Sequence, residues 1–108
     1  MNASADPSAL EASGPLELVV VERTFEAPVD FEAVQRTEER VAWCLEQHGV
    51  RYVGSLLSRD RRRMVCLHHA PDAEAVRAVN RVSGVPADRV WTASAYGLLA
   101  EARTPAGQ

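Results

Sequence analysis

The sequence predicts an α+β domain in which two helices cover one face of a four-stranded antiparallel sheet. Three observations predict it. Four short segments alternate or are rich in β-branched residues, two segments repeat their apolar residues every three or four positions, and Gly and Pro separate the segments. Their order along the chain is β-α-β-β-α-β, which is the split βαβ or ferredoxin-like arrangement.

The first half of the domain is predicted to hold one strand and one long helix. Residues 16–25 alternate and are β-branched at their centre, and Pro28 closes the turn that follows. Asp30 is a suitable N-cap, while His48 and Gly49 are suitable residues to end the helix. The stripe of this helix is Phe31, Val34, Glu38, Val41 and Leu45.

The second half is predicted to be a hairpin, a helix and a last strand. The polar turn at 59–62 separates the two hairpin strands, and the break Ala70-Pro71-Asp72 precedes a helix that stops at Gly84. The predicted bounds are 50–58 and 63–69 for the hairpin strands, 73–83 for the helix and 89–98 for the last strand.

Composition predicts one folded domain over residues 16–99. The chain has 108 residues, 46% of them apolar, and residues 1–15 and 100–108 are predicted to be flexible tails. The net charge of −3 gives no electrostatic footprint for nucleic acid, and no apolar stretch is long enough to cross a membrane. The N-terminus lacks the pattern of a secretory signal, so we expect a cytoplasmic protein without nucleic-acid or membrane partners.

Two helices can cover only one face of such a sheet. The other face would expose Val19, Val21, Val65 and Leu67, or their alternates. A bare apolar sheet face is unfavourable for a monomer in water. We therefore expect a two-fold homodimer, formed sheet against sheet.

Three polar side chains interrupt apolar patterns on three different elements. Glu22 follows Leu18 and Val20 on one face of the first strand, Glu38 lies within the helical stripe, and Asn80 lies on the inward edge of the second helix. Because an unpaired buried carboxylate is unfavourable, two that face one core indicate a paired site, a bound cation or a reactive pocket.

A second interpretation of the two carboxylates stays open. Glu22 could pair with Arg23 or Arg89, and Glu38 could lie at the edge of its helix with Thr37 facing inward.

Further candidates lie on the hairpin. Cys66 and His68 are two residues apart, so they share a face of their strand, whereas His68 and His69 face opposite sides. Either histidine could join Glu22 in a pocket. Tyr52 is a candidate for the pocket wall, and Cys44 and Cys66 are expected to be free buried thiols because no pairing motif is present.

Four short motifs resemble the DUF4242 family over most of residues 18–97. They are Glu22-Arg23-Thr24-Phe25, residues 49–53, residues 66–72 and residues 84–88. The resemblance implies a ferredoxin-like fold, a dimeric assembly and nickel binding. The histidines of the nickel-binding branch correspond here to Glu22, Glu38, Asn80 and Val85.

Two functional hypotheses follow from these candidates. In the first, the protein binds a metal ion or a small ligand between sheet and helices. Its metal would be divalent, nickel or zinc, held by Glu22, Glu38 and His68. The other ligand-binding residues would be Asn80, Cys66 and Tyr52.

In the second hypothesis, the protein is a small isomerase or cyclase that uses no organic cofactor, as in secondary metabolism. Glu22 or Glu38 would then move a proton on a compact hydrophobic substrate. Asn80, His68 or Tyr52 would orient that substrate.

Overall fold

The structure, a computed structural model, describes residues 15–102. The remaining parts of the predicted tails, 1–14 and 103–108, lie outside the described residues. The elements are β1 (Glu17–Thr24), α1 (Phe31–Glu39), α2 (Ala42–Gln47), β2 (Arg51–Leu57), β3 (Arg63–Ala70), α3 (Ala73–Ser83), β4 (Arg89–Ala93) and a 3₁₀ helix (Gly97–Ala102).

The four strands form one antiparallel sheet in the order β2-β3-β1-β4. β1 lies at its centre, where Val21 is opposite Cys66 on one side and Val90 on the other. The helices pack against one face, and Val34, Val76 and other buried residues of the core lie between the two layers. The predicted α+β, ferredoxin-like fold is confirmed.

The sequence alone does not reveal which face of β1 points inward. Val19 and Val21 belong to the core under the helices, and Arg23 continues that face because side chains alternate along a strand. Glu22 therefore lies on the opposite, outer face of the sheet. The prediction that Glu22 faces the helices is wrong, and Arg23 is the polar residue that does so.

The long first helix of the prediction is two helices in the structure. α1 ends at Glu39 and α2 begins at Ala42. At the junction, the N–H of Val41 donates to the carbonyl of Glu38 at 3.0 Å, three residues back, which is the tighter 3₁₀ pattern. The apolar stripe nonetheless continues into α2, since Leu45 packs against the same core. Glu38 consequently lies in the last turn of α1.

The last strand is shorter than predicted. β4 ends at Ala93, which is opposite Leu18, near the first residue of β1. β4 is an edge strand whose partner in the described sheet is β1, and β1 begins one residue before Leu18, so the ladder ends there. The chain then forms the 3₁₀ helix, which includes residues 100–102 of the predicted tail.

The outer face of the sheet carries apolar side chains. Leu56 is 71% exposed and Trp91 is 43% exposed, and both share a face with the buried Val20. Among residues 15–102, no helix has the length and apolar character needed to cross a bilayer.

The two aspartates at helix starts make different contacts. Asp72 accepts a hydrogen bond from the backbone N–H of Ala75 at 2.9 Å, as a capping side chain does, and Gly84 ends α3 with a positive φ of 76°. Asp30 occupies the same N-cap place on α1 but makes no capping hydrogen bond with its side chain.

We expect Asp72→Ala to lower the free energy of unfolding by about 1 kcal/mol, because it leaves a helix N–H without its partner. Asp30→Ala is the matched control, and its loss should be only a few tenths of a kcal/mol. Urea denaturation of both variants measures the difference. Equal losses would contradict the assignment of the cap.

Candidate functional site

The guanidinium of Arg23 lies at the centre of a polar cluster between the sheet and the helices. Its side chain is 1% exposed. Nη1 donates to Asn80 Oδ1 at 2.7 Å and to the carbonyl of Pro86 at 2.8 Å. Nη2 donates to Glu38 Oε2 at 3.1 Å, and Nε donates to Cys66 Sγ at 3.5 Å. A buried cation requires such partners, because its removal from water is otherwise unfavourable.

Each partner of Arg23 comes from a different element. Glu38 comes from the last turn of α1, Cys66 from β3 and Asn80 from α3. Asn80 is held in place by a second hydrogen bond, from its Nδ2 to the carbonyl of Val76 at 2.9 Å. The cluster therefore connects the central strand β1 to α1 and to α3, two of the helices that cover the sheet.

The carboxyl of Glu38 is the acidic member of the cluster. Burial raises the pKa of Glu38 above its usual value, while the positive charge of Arg23 partly opposes that rise. Its side chain is 22% exposed, so the carboxyl lies at the boundary between the cluster and solvent.

His68 is buried beside the cluster, with 4% of its surface exposed. Its Nδ1 has no hydrogen-bond partner within residues 15–102. Burial, and to a smaller extent the charge of Arg23, lowers the pKa of His68 to about 4. The ring is therefore neutral near pH 7, and Nδ1 can donate or accept according to the tautomer.

A bulge in β2 brings two more side chains to this face. The register between β2 and β3 shifts between Tyr52 and Gly54. As a result Tyr52 is opposite His68, with the two rings edge to face at 5.8 Å, and Ser55 is opposite Cys66. Ser55 Oγ donates to Cys66 Sγ at 3.2 Å and bonds the Tyr52 hydroxyl at 2.6 Å.

A cavity of about 10 Å³ lies beside the cluster. Arg23, Glu38, His68 and Asn80 form its polar wall, and Val41, Leu45, Val50, Val76 and Val79 are among its apolar lining. This is about the space that one water molecule needs. An organic molecule can enter only if a lining side chain moves.

The structure brings together five of the six predicted ligand-binding residues. They are Glu38, Asn80, Cys66, His68 and Tyr52, all on the inner face. His68, and not His69, is the histidine that faces the pocket, since Cys66 and Ala70 on the same side of β3 belong to the core.

The prediction that Glu22 and Glu38 converge is wrong. Glu22 lies on the outer face, where its Oε2 accepts a hydrogen bond from Trp91 Nε1 at 2.7 Å. The two carboxylates are on opposite sides of the sheet, so they form neither an acid–base pair nor a shared metal site. The alternative in which Thr37 replaces Glu38 is wrong too, because Glu38 bonds Arg23.

Sequence reasoning did not identify Arg23, Ser55 and Pro86 as members of the cluster. For Ser55 a signal existed, since a lone glycine inside a strand, here Gly54, indicates a bulge. Arg23 was not predicted to lie inward because arginine side chains are usually exposed.

The residues present do not fit nickel or zinc in the inner site. Glu38, Asn80 and Cys66 already direct their acceptor atoms at the guanidinium of Arg23. A divalent cation bound by the same atoms would lie close to that permanent positive charge. Within the described range, no group of three His, Cys, Asp or Glu side chains is placed to hold a metal ion.

We expect the neutral state of His68 to make stability depend on pH. Because its folded pKa is lowered from 6.5 to about 4, the unfolded chain binds more protons across this window. The contribution of His68 to the free energy of unfolding is therefore fully present above pH 6.5 and is lost as the pH falls towards 4. The raised pKa of Glu38 acts in the opposite direction.

Urea denaturation of the wild type and of His68→Phe isolates the contribution of the histidine. Between about pH 7 and about pH 5 the wild type should lose about 2 kcal/mol more than the variant. Parallel pH profiles for the two proteins would contradict the burial of a neutral ring.

The solved structure of SCO4226 from Streptomyces coelicolor A3(2) is similar in fold. It superposes with a TM-score of 0.65 at 15% sequence identity. The match covers 74% of this chain and 99% of the other. At this identity the likeness shows the fold alone. A search among curated proteins finds no significant match.

A family model described as "Nickel responsive protein SCO4226-like" matches residues 20–92. The matched segment is more than half of the chain and contains α1, α2, α3, β2 and β3, most of β1 and β4, and every residue of the Arg23 cluster. The chain therefore belongs to the SCO4226-like family of nickel-responsive proteins.

Proposed function

We propose that this protein binds a compact organic ligand in the site between sheet and helices, and that the ligand contacts His68. The unpartnered Nδ1 of His68 is the observation that supports this function most directly. A buried polar atom without a partner costs about 1–3 kcal/mol. A ligand that hydrogen-bonds Nδ1 would recover that free energy.

Nickel is the competing ligand, because the family is described as nickel responsive. The atoms that could coordinate a metal argue against nickel at the inner site of this chain. Three of them already bond Arg23, and a metal there would have to displace a buried guanidinium.

Binding is also better supported than catalysis. The enzyme hypothesis needs a carboxylate free to move a proton in the pocket. Glu22 is on the outer face, and Glu38 is engaged with Arg23. Among residues 15–102, His68 is then the one other predicted site residue beside the cavity that could transfer a proton.

Nuclear magnetic resonance of the imidazole nitrogens tests this function. We expect at least one of the small probes acetate, acetamide and ethanol to shift the His68 signals while those of His48 stay fixed. The same probe should also shift the backbone amide signals of residues around His68. This second shift should be absent in His68→Phe, because that variant lacks the contact.

The same samples, freed of metal with a chelator, are then titrated with nickel chloride and zinc chloride. We expect no stoichiometric binding at the inner site. Binding of one nickel ion per chain that is lost in both His68→Phe and Glu38→Gln would overturn the proposal in favour of a metal site.

The functional unit in this proposal is a homodimer formed through the outer face of the sheet. Leu56 and Trp91 expose apolar surface there beside the half-buried Val65 and Leu67. Burial of this surface between two copies would remove it from water. The free thiols of Cys44 and Cys66 suit a reducing compartment, so we place the protein in the cytoplasm.

We expect light scattering to give about twice the 11.8 kDa mass of one chain. Leu56→Glu should give the monomer mass, because it places a charge within the apolar interface. Val82→Glu is the matched control, since Val82 is 50% exposed on α3 and lies in the helical layer. A monomeric wild type, or a dimer that Leu56→Glu leaves intact, would refute this arrangement.

A further inference from the structure

We propose that the ligand of the inner site is a short-chain carboxylate, which takes the place of the Glu38 carboxylate on the guanidinium of Arg23. This inference rests on the proposed function and adds to it the chemical class of the ligand. It follows from the charge, the geometry and the size of the site.

The charge of the site favours an anion that can replace another. Arg23 is permanently positive and buried, so one negative charge must remain beside it. Glu38 supplies that charge when the site is closed. A carboxylate that exchanges with Glu38 preserves the pairing, whereas a neutral molecule that displaced Glu38 would leave the guanidinium without a counter-charge.

The geometry identifies one edge of Arg23 as exchangeable. Nη1 is held by Asn80, which is itself anchored to Val76, and by the backbone carbonyl of Pro86. For Asn80 to leave, its second hydrogen bond must also break, and for Pro86 to leave, the turn after α3 must move. Nη2, by contrast, has the side chain of Glu38 as its acceptor.

Glu38 is well placed to leave. It lies in the last turn of α1, beside the junction at Arg40 and Val41, and its side chain is already partly in solvent. Burial also raises its pKa, which means that the closed site holds the ionised carboxyl less favourably than water does. If this side chain rotated into solvent, the space that it leaves would be continuous with the adjacent cavity.

The enlarged space has one polar end and one apolar end. At the polar end, a carboxylate could accept from Arg23 Nη2 through one oxygen and from the His68 ring through the other. The apolar end is formed by Val41, Leu45 and Val76, which suit a short alkyl chain. A long or strongly polar substituent would meet these side chains unfavourably.

The experiment compares acetate with acetamide, which has nearly the same shape but no charge. Acetate is exchanged for chloride at constant ionic strength, and the signals of His68 and Asn80 are followed. We expect acetate to bind at least about tenfold more tightly than acetamide, because it alone replaces the charge of Glu38.

Glu38→Gln provides the decisive variant, since its amide no longer competes as an anion for Arg23. It should tighten acetate binding by about tenfold and change acetamide binding by much less, because acetamide carries no charge. Glu39→Gln is the matched control, because it removes the same charge from the exposed neighbouring position, and it should bind acetate as the wild type does. The amide spectrum of each variant verifies that the fold is retained.

Each contrary result has a distinct meaning. Equal binding of acetate and acetamide, unaffected by Glu38→Gln, would overturn the carboxylate class while the proposed function stands. An equal gain in Glu38→Gln and Glu39→Gln would show a general charge effect and would also overturn the exchange. If acetate, acetamide and ethanol all leave His68 unchanged, the proposed function itself fails.

Discussion

A buried arginine sets the constraints on the rest of this structure. Arg23 lies on the central strand with its side chain 1% exposed, so its charge must be satisfied by groups from the surrounding elements. Glu38, Asn80 and the carbonyl of Pro86 meet that need from α1, α3 and the turn after α3. Removal of one partner from such a buried pair typically costs about 3–5 kcal/mol.

Burial and the arginine together determine the electrostatics of its neighbours. Burial raises the pKa of Glu38 and lowers the pKa of His68, and the charge of Arg23 partly opposes the first shift and adds to the second. His68 therefore remains neutral, and its Nδ1 is the atom in the interior that still lacks a partner among the described residues. A site with one satisfied ion pair and one unsatisfied neutral ring is suited to a hydrogen-bonding ligand.

The element order, the helix start after the break at Asp72 and the stop at Gly84 could be predicted, because these signals are local in the sequence. Glu38 and Asn80 could be identified as inward polar residues from helical periodicity. Which face Glu22 is on could not be predicted, because the alternation expected over residues 16–25 is interrupted at the run Leu18–Val21. This run is apolar at every position, so it does not distinguish the two faces. The sequence therefore predicted Glu22 as the inward polar residue of β1, whereas the next residue, Arg23, has that place in the structure.

That exchange changes the chemistry of the interior. Two inward carboxylates would need a cation from outside the chain, and a metal ion would be the natural choice. With Arg23 inward, the chain supplies the cation itself, and the oxygen and sulfur acceptors of the predicted site bind it. Family membership is consistent with either chemistry, because a fold fixes where a polar interior lies and the residues placed there decide what it binds. In this chain, a ligand of the proposed site would therefore compete with an internal carboxylate for a guanidinium, which favours an anion over a metal ion.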